Sequence, residues 1–256
     1  MDIQFASDLH LEFSANKKYL DRHFLKAAGQ ILLLAGDVIP LAKMEKAKPF
    51  LKRLSDMYEH VYWIAGNHEY FYSTIPDNLN PAESFEEKIF SNVTLLNNTT
   101  VEMENVEIFF STFWSHIPDR DIVFMQKGMP DFNLIKDGEG LLSCELYNSW
   151  HEKALQYLNN GLHVATNKKR IVVTHHVPTY LQYPKEFADS NITAGFATEN
   201  KDYIAQSNID YWIFGHHHRN VDPIYIGKTK LLTNQLGYVW HKENIGFDDQ
   251  RIISIG

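Results

Sequence analysis

Residues 61–69 read VYWIAGNHE, and this stretch decides the fold. Val61 to Ala65 form an unbroken apolar run, the mark of a strand covered on both faces. The run stops at Gly66-Asn67-His68-Glu69, which carries an amide, an imidazole and a carboxylate in successive positions. The same figure occurs twice upstream, as IQFASDLH at 3–10 and ILLLAGD at 31–37. It occurs twice downstream, as IVVTHH at 171–176 and YWIFGHHH at 211–218. Five expected strands thus deliver Asp, Asn and His just beyond their C-terminal ends. In open α/β sheets the crevice outside those ends is where sites form.

Helical spacing fills the intervals. Lys17–Ala28 places Leu20, Phe24 and Leu25 on one face, with Gly29 as a stop. Met44–His60 and Cys144–Asn160 read as further helices. Val93–Leu96 and Val106–Phe110 read as strands with no long helix between them, and Ile224–Ile226 and Lys230–Thr233 flank a hairpin turn at Gly227-Lys228. The alternation predicts an α/β fold.

Composition narrows the class. The chain has 256 residues, 44% hydrophobic and 22% charged, which is ordinary globular usage. About 73% of the unfolded surface would be buried at this size, enough for a core without staples. No repeat or linker divides the chain, so 1–256 is read as one domain. No apolar run approaches the ~20 residues of a membrane span. Strand-like residues begin at Ile3, which leaves no room for a signal peptide. The one cysteine, Cys144, cannot form an intramolecular disulfide, so the expected location is cytoplasmic. The net charge of −8 argues against nucleic acid as a partner, but not against a phosphate, because bound metals invert local charge.

The motifs differ in weight. Asp8-Leu9-His10 alone is weak, with about 0.8 such matches expected by chance. A second match, Asp21-Arg22-His23, falls in an expected helix, where i and i+2 do not face each other. At the end of an extended strand i and i+2 share a side, so Asp8 and His10 can grip one ion. Gly66-Asn67-His68 and the Gly215-x-His-x-His pattern are more specific, with roughly 0.05 and 0.03 chance matches. His175-His176 alone reads better as a packed strand-end pair than as a ligand pair.

The ordered set Asp8-x-His10, Gly36-Asp37, Gly66-Asn67-His68-Glu69, His175 and Gly215-His216-x-His218 resembles the calcineurin-like metallophosphoesterase superfamily. STFWS at 111–115, MPDFNLI at 129–135 and NQLGY at 234–238 resemble a bacterial phosphohydrolase branch of it. The resemblance implies a four-layer α/β/β/α sandwich with two metal ions at one edge. One ion would be held by Asp8, His10, Asp37 and His218, the other by Asp37, Asn67, His175 and His216, with Asp37 bridging. It also implies a phosphoester hydrolase whose nucleophile is a hydroxide shared by the ions, with His68 as general acid or transition-state donor. Carboxylate, imidazole and amide ligands suit divalent or mixed-valence Mn, Fe or Zn, and the lack of thiolates argues against a structural zinc site. Glu69 is read as orienting His68 or another histidine, His217 as pointing away, and His176 as facing the substrate.

Departures from better-known branches matter too. Val38-Ile39-Pro40 stands where protein serine/threonine phosphatases carry Asp-Arg-Gly, and no metal-binding tyrosine of the purple acid phosphatase kind is present there. The expected substrate is a small phosphomonoester or phosphodiester; a nuclease and a non-catalytic scaffold on the same fold are the alternatives. The oligomeric state is left open. Residues 116–140, with Pro118, Gly128, Pro130, Gly138 and Gly140, predict a long irregular segment lining the cleft mouth, with Arg120 or Lys127 as anion contact.

Overall fold

The five motif-bearing strands fall into two sheets in a computed structural model of the protein, which describes residues 1–188 and 190–256. The chain begins with β1 (Asp2–Ala6), α1 (Ser14–Arg22), β2 (Ile31–Leu34), α2 (Met44–Met57) and β3 (His60–Ile64). It continues through β4 (Ser73–Thr74), β5 (Phe85–Phe90), β6 (Val93–Asn97), β7 (Thr99–Glu102) and β8 (Val106–Ser111). Next come α3 (Ile122–Gly128), α4 (Asp131–Leu134), β9 (Ile135–Asp137), β10 (Gly140–Leu141), α5 (Cys144–Leu162) and β11 (Lys169–Thr174). The last elements are α6 (Lys185–Ala188), α7 (Lys201–Gln206), β12 (Tyr211–Phe214), β13 (Ile224–Ile226), β14 (Thr229–Thr233) and β15 (Ile252–Ser254).

One six-stranded sheet has the order β15-β1-β2-β3-β6-β5, the other β13-β14-β12-β11-β8-β7. Strands β1, β2, β3 and β6 run parallel, as do β8, β11, β12 and β14, and antiparallel strands close each edge. Alternate side chains explain the four layers. Ile3, Phe5, Leu33, Ile108, Phe110, Ile171 and Val173 interlock between the sheets. Their neighbours Leu32, Leu34 and Trp63 pack outward under Leu20, Leu51 and Leu54 of α1 and α2. Phe109, Val172 and Trp212 pack the opposite way under Ala154 and Leu158 of α5. Both faces of each central strand are covered, which is why these strands read as continuous apolar runs.

Several element boundaries differ from expectation. α1 starts at Ser14 and stops at Arg22, because Lys26 N–H bonds Asp249 O and Ala28 N–H bonds the Gln4 side chain. α2 stops at Met57 because Glu59 N–H bonds Gln30 O and His60 pairs with Ile31 in the sheet. Residues 116–140 form short helices and strands rather than one irregular loop. No helix among the described residues is long and apolar enough to cross a membrane.

Candidate metal centre

β1, β2 and β3 of one sheet and β11 and β12 of the other end side by side. The junction is laced by backbone bonds: Asp8 N–H to Gly36 O at 3.0 Å, His10 N–H to Asp37 O at 2.9 Å, and Gly215 N–H to His175 O at 3.0 Å. His216 N–H bonds Asp8 Oδ1 at 3.0 Å, tying the two sheets together at the site.

The turns after the strands are left-handed. Asp8, His10, Asp37, His216 and His218 have φ of 56°, 47°, 55°, 80° and 53°. Asp8 and His10 therefore do not share a side by strand alternation; the chain coils there and brings them together another way. Asp and His tolerate this region better than most residues. Each such residue still costs on the order of 1–3 kcal/mol, a strain that clusters at functional sites. The flanking glycines have a steric reason. A Cβ on Gly36 would lie 2.4 Å from His175 Nδ1, and one on Gly66 would lie 2.2 Å from Asp37 Oδ1.

Ligand-capable atoms converge in two buried groups. Asp8, His10, Asp37 and His218 place one atom each within 4.8 Å of one another, and Asp37, His175 and His216 do the same. Asp37 belongs to both. Asn67 Oδ1 lies 3.2 Å from His175 Nε2 and so joins the second group. Its amide is oriented by Asp131, whose Oδ2 accepts from Asn67 Nδ2 at 3.3 Å.

These atoms fit a cation. His10 Nδ1 is held by Glu12 at 3.1 Å and His218 Nδ1 by Glu243 at 2.7 Å, which leaves both Nε2 atoms as lone-pair donors. Those two Nε2 atoms face each other at 2.9 Å, an arrangement that a positive charge must relieve. His216 Nε2 is buried with no hydrogen-bond partner among the described residues. Burial opposes charge on His218 and His175, yet the Asp8 and Glu243 carboxylates push His218 up to about 9, and Asp37 and Asp8 push His175 up to about 9.

His68 lies beside both groups, with its side chain 13% exposed. Glu12 Oε1 holds its Nδ1 at 2.9 Å, and Tyr238 Oη is 3.4 Å from its Nε2. Burial lowers its proton affinity, but the charges of Asp37 and Glu12 outweigh that and raise it above the ordinary imidazole value. Glu12 thus serves His10 and His68 together. Burial would raise its carboxyl, and the two imidazoles hold it down at about 2.

Glu69 has a different role from the expected one. Among the described residues it makes no hydrogen bond or ion pair to a histidine; it accepts the backbone N–H groups of Asp37, Val38 and Gly66 at 2.9, 2.7 and 2.5 Å, and that of Ile39 at 3.2 Å. It clamps the turns after β2 and β3.

Beside the two groups opens a cavity of about 280 Å³. Three expected contacts do not line it. His176 is fully buried, its ring 4.2 Å from that of His216 and its Nε2 3.2 Å from Tyr147 Oη. Arg120 is 82% exposed beside Asp121. Lys127 is exposed because α3 turns Met125 inward, and two residues further along a helix is the opposite face. Residues 116–140 reach the cavity through Met129, Pro130 and Asp131 instead. Arg219 is the one Lys or Arg among its described lining residues. His217 lies in neither ligand group; its Nδ1 meets Gln235 Nε2 at 2.8 Å.

Glu12, Asp131, Glu243 and Arg219 escaped sequence reasoning. Glu12 had a signal, two residues beyond His10 in DLHLE. Glu243 had none, being 25 residues from the histidine it holds.

Comparison with known proteins agrees with this geometry. The calcineurin-like phosphoesterase family matches residues 1–220. A protein of Acanthamoeba polyphaga mimivirus, described as uncharacterized, is 30% identical over 267 residues, covering 94% of this chain and 93% of its own. The crystal structure of a phosphopantetheinyl hydrolase from Mycobacterium tuberculosis superposes with a TM-score of 0.66 at 16% identity, covering 98% of this chain and 95% of that one. A dimetal phosphatase from Danio rerio superposes with a TM-score of 0.50 at 13% identity, covering 92% and 87%. At such identities the two structures speak for the fold alone. With its motifs in order, its four layers and a family match over most of its length, the chain belongs to the calcineurin-like phosphoesterase family.

Proposed function

We propose that the protein is a dinuclear-metal-dependent hydrolase of small phosphomonoesters or phosphodiesters. The observation that carries this reading is the pair of buried ligand groups sharing Asp37, with the Nε2 atoms of His10 and His218 turned on one another where one shared cation fits between them. In this reading Asp8, His10, Asp37 and His218 hold one ion, and Asp37, Asn67, His175 and His216 the other. The donor set suits Mn, Fe or Zn. Such ions would supply an acidified water and a clamp on the ester oxygens.

The chain's own residues do the rest. His68, held at Nδ1 by Glu12, presents Nε2 to the cavity and gives its proton to the leaving oxygen. Asp131 keeps the Asn67 carbonyl oxygen turned toward the second group. Glu69 fixes the Asp37 turn. A single arginine in the cavity disfavours a long nucleic acid, which needs a row of cations. Retention of every ligand of the resemblance disfavours a non-catalytic scaffold. The reading takes the whole chain as one unit, with β15 pairing on β1, and a cytoplasmic setting for a protein whose lone Cys144 is buried.

Elemental analysis and a panel of aryl and alkyl mono- and diesters, nucleotides and cyclic nucleotides test the reading. Two transition-metal ions per chain are expected, with loss of at least one in Asp37→Asn. A full metal load in that variant refutes the bridging role; a loaded protein inactive on the whole panel refutes the hydrolase.

A further inference from the structure

The wall of the cavity has a chemistry that the ligand groups do not require. Nine of the described lining residues come from Met129–Asp131 and from the stretches 183–188 and 190–196. Phe196 stacks on His216 with ring centroids 4.7 Å apart and planes at 28°, so the apolar surface starts at a proposed ligand. Met129 and Ile192 continue it outward to Phe187, which is 37% exposed. Residues 129–131 and 190–196 are packed together: a Cβ on Gly195 would meet the Met129 sulfur at 2.0 Å. The one cation of the wall, Arg219, has its guanidinium 5.3 Å above the Phe187 ring and its Nε 3.2 Å from Glu186.

A charged floor beneath a concave apolar wall fits a ligand with two unlike ends. The volume is close to the lower bound of ~300 Å³ for small-molecule sites, more than a phosphate alone fills. Among the described lining residues Arg219 is the one Lys or Arg, and its Nε and Nη1 are taken by Glu186 and His218 O, which leaves only Nη2 for a second anionic group.

We infer that the preferred substrate is a phosphate ester of an apolar alcohol, its phosphate on the floor and its hydrocarbon part against Phe196, Met129, Ile192 and Phe187. The inference rests on the hydrolase reading and names its substrate class.

The test is a series of n-alkyl phosphates from methyl to hexyl, whose leaving alcohols differ little in acidity. Full burial of each CH2 is worth about a fourfold gain, and a half-open wall should give about twofold per carbon in kcat/KM. Calorimetry with the matching n-alkylphosphonates, which cannot be hydrolysed, should show the same increments in Kd on the metal-loaded protein. Ile192→Ser and Phe187→Ser should each reduce the increment per carbon while metal content stays that of the wild type. Hydrolysis across the series with no dependence on chain length overturns the inference and leaves the hydrolase standing. Activity on the ester panel with none on the alkyl series overturns the inference and leaves the hydrolase standing. No hydrolysis of the series or of the panel, but phosphonate affinity rising with length, supports the wall and overturns the hydrolase. Neither hydrolysis of series and panel nor phosphonate binding overturns both. Increments unchanged in both variants overturn the assignment of the wall.

Discussion

Replacing Glu69 by Gln keeps shape and removes one acceptor, which makes it the sharpest probe of how the site is held. The carboxylate accepts four backbone N–H groups, two on each oxygen: Val38 and Ile39 on Oε1, Asp37 and Gly66 on Oε2. A Gln amide places an NH2 at one of those oxygens, so two acceptances are lost and donors face donors. Hydrogen bonds to a charged acceptor contribute about 1.5–3 kcal/mol each, which puts the loss at about 3–6 kcal/mol. That is a large share of a total stability of about 5–15 kcal/mol. At roughly 2–4 °C per kcal/mol for a domain of this size, Tm should fall by about 6–24 °C. Whichever oxygen is replaced, the Asp37 turn loses a support, so affinity for the second metal ion should fall as well. Burial and the Asp37 charge push the Glu69 carboxyl up, to about 8, against the pull of the four donors. A protonated carboxyl offers one donor and one acceptor, as Gln does, so the full loss is expected above pH 8, where the carboxylate forms, and a smaller one below it. A metal-free variant melting within 2 °C of wild type at pH 9 by circular dichroism, with unchanged zinc affinity by calorimetry, would falsify the picture of an ionised clamp.

Other expectations follow from separate parts of the molecule. His68→Ala should lower turnover by roughly 10²–10⁴ with metal content intact, and less for aryl esters, whose leaving groups need little protonation; parallel loss of metal would show a ligand or structural role instead. Arg170 is buried, with Nε 2.9 Å from Glu107 and Nη1 2.7 Å from Leu162 O at the end of α5. Arg170→Met leaves that carboxylate unpaired and should cost about 3–5 kcal/mol in chemical denaturation; a loss below 1 kcal/mol would count against the pair. His151 is buried with Nδ1 on Trp114 O, and burial lowers its proton affinity below the ordinary value of 6.5. Above pH 6.5 neither state binds its proton. Between the folded and the unfolded value the unfolded chain binds a proton that the folded chain does not, so stability falls as the pH is lowered through that window. His151→Asn should therefore gain on wild type between pH 7.5 and 5, by at most about 1.36 kcal/mol per pH unit; a constant difference between the two proteins across that range would reject the linkage.

The strand ends and the donors on them were legible in the sequence because both signals are local. A strand covered on two faces must be apolar at every position, as 31–35 and 61–65 are, and the apolar run ends where the buried polar groups Asp37 and Asn67 begin. The order of layers is less local. Nothing in the runs themselves says that β3 and β11 belong to different sheets; the resemblance supplied that, and packing of alternate residues into separate cores explains it. What tertiary structure alone decided is how the donors are aimed. Asp8 and His10 meet through left-handed backbone, a conformation stabilised by bonds to the neighbouring turn at Gly36 and Asp37. Glu243 reaches His218, and Glu12 reaches His68, only because distant segments fold over the same edge. Lys127 turned outward because one buried methionine set the face of a short helix, and Arg120, in the turn before that helix, lies exposed beside Asp121. A chain's burial pattern is written residue by residue, whereas the partner of a buried charge is chosen by whichever segment the packing of two sheets brings against it.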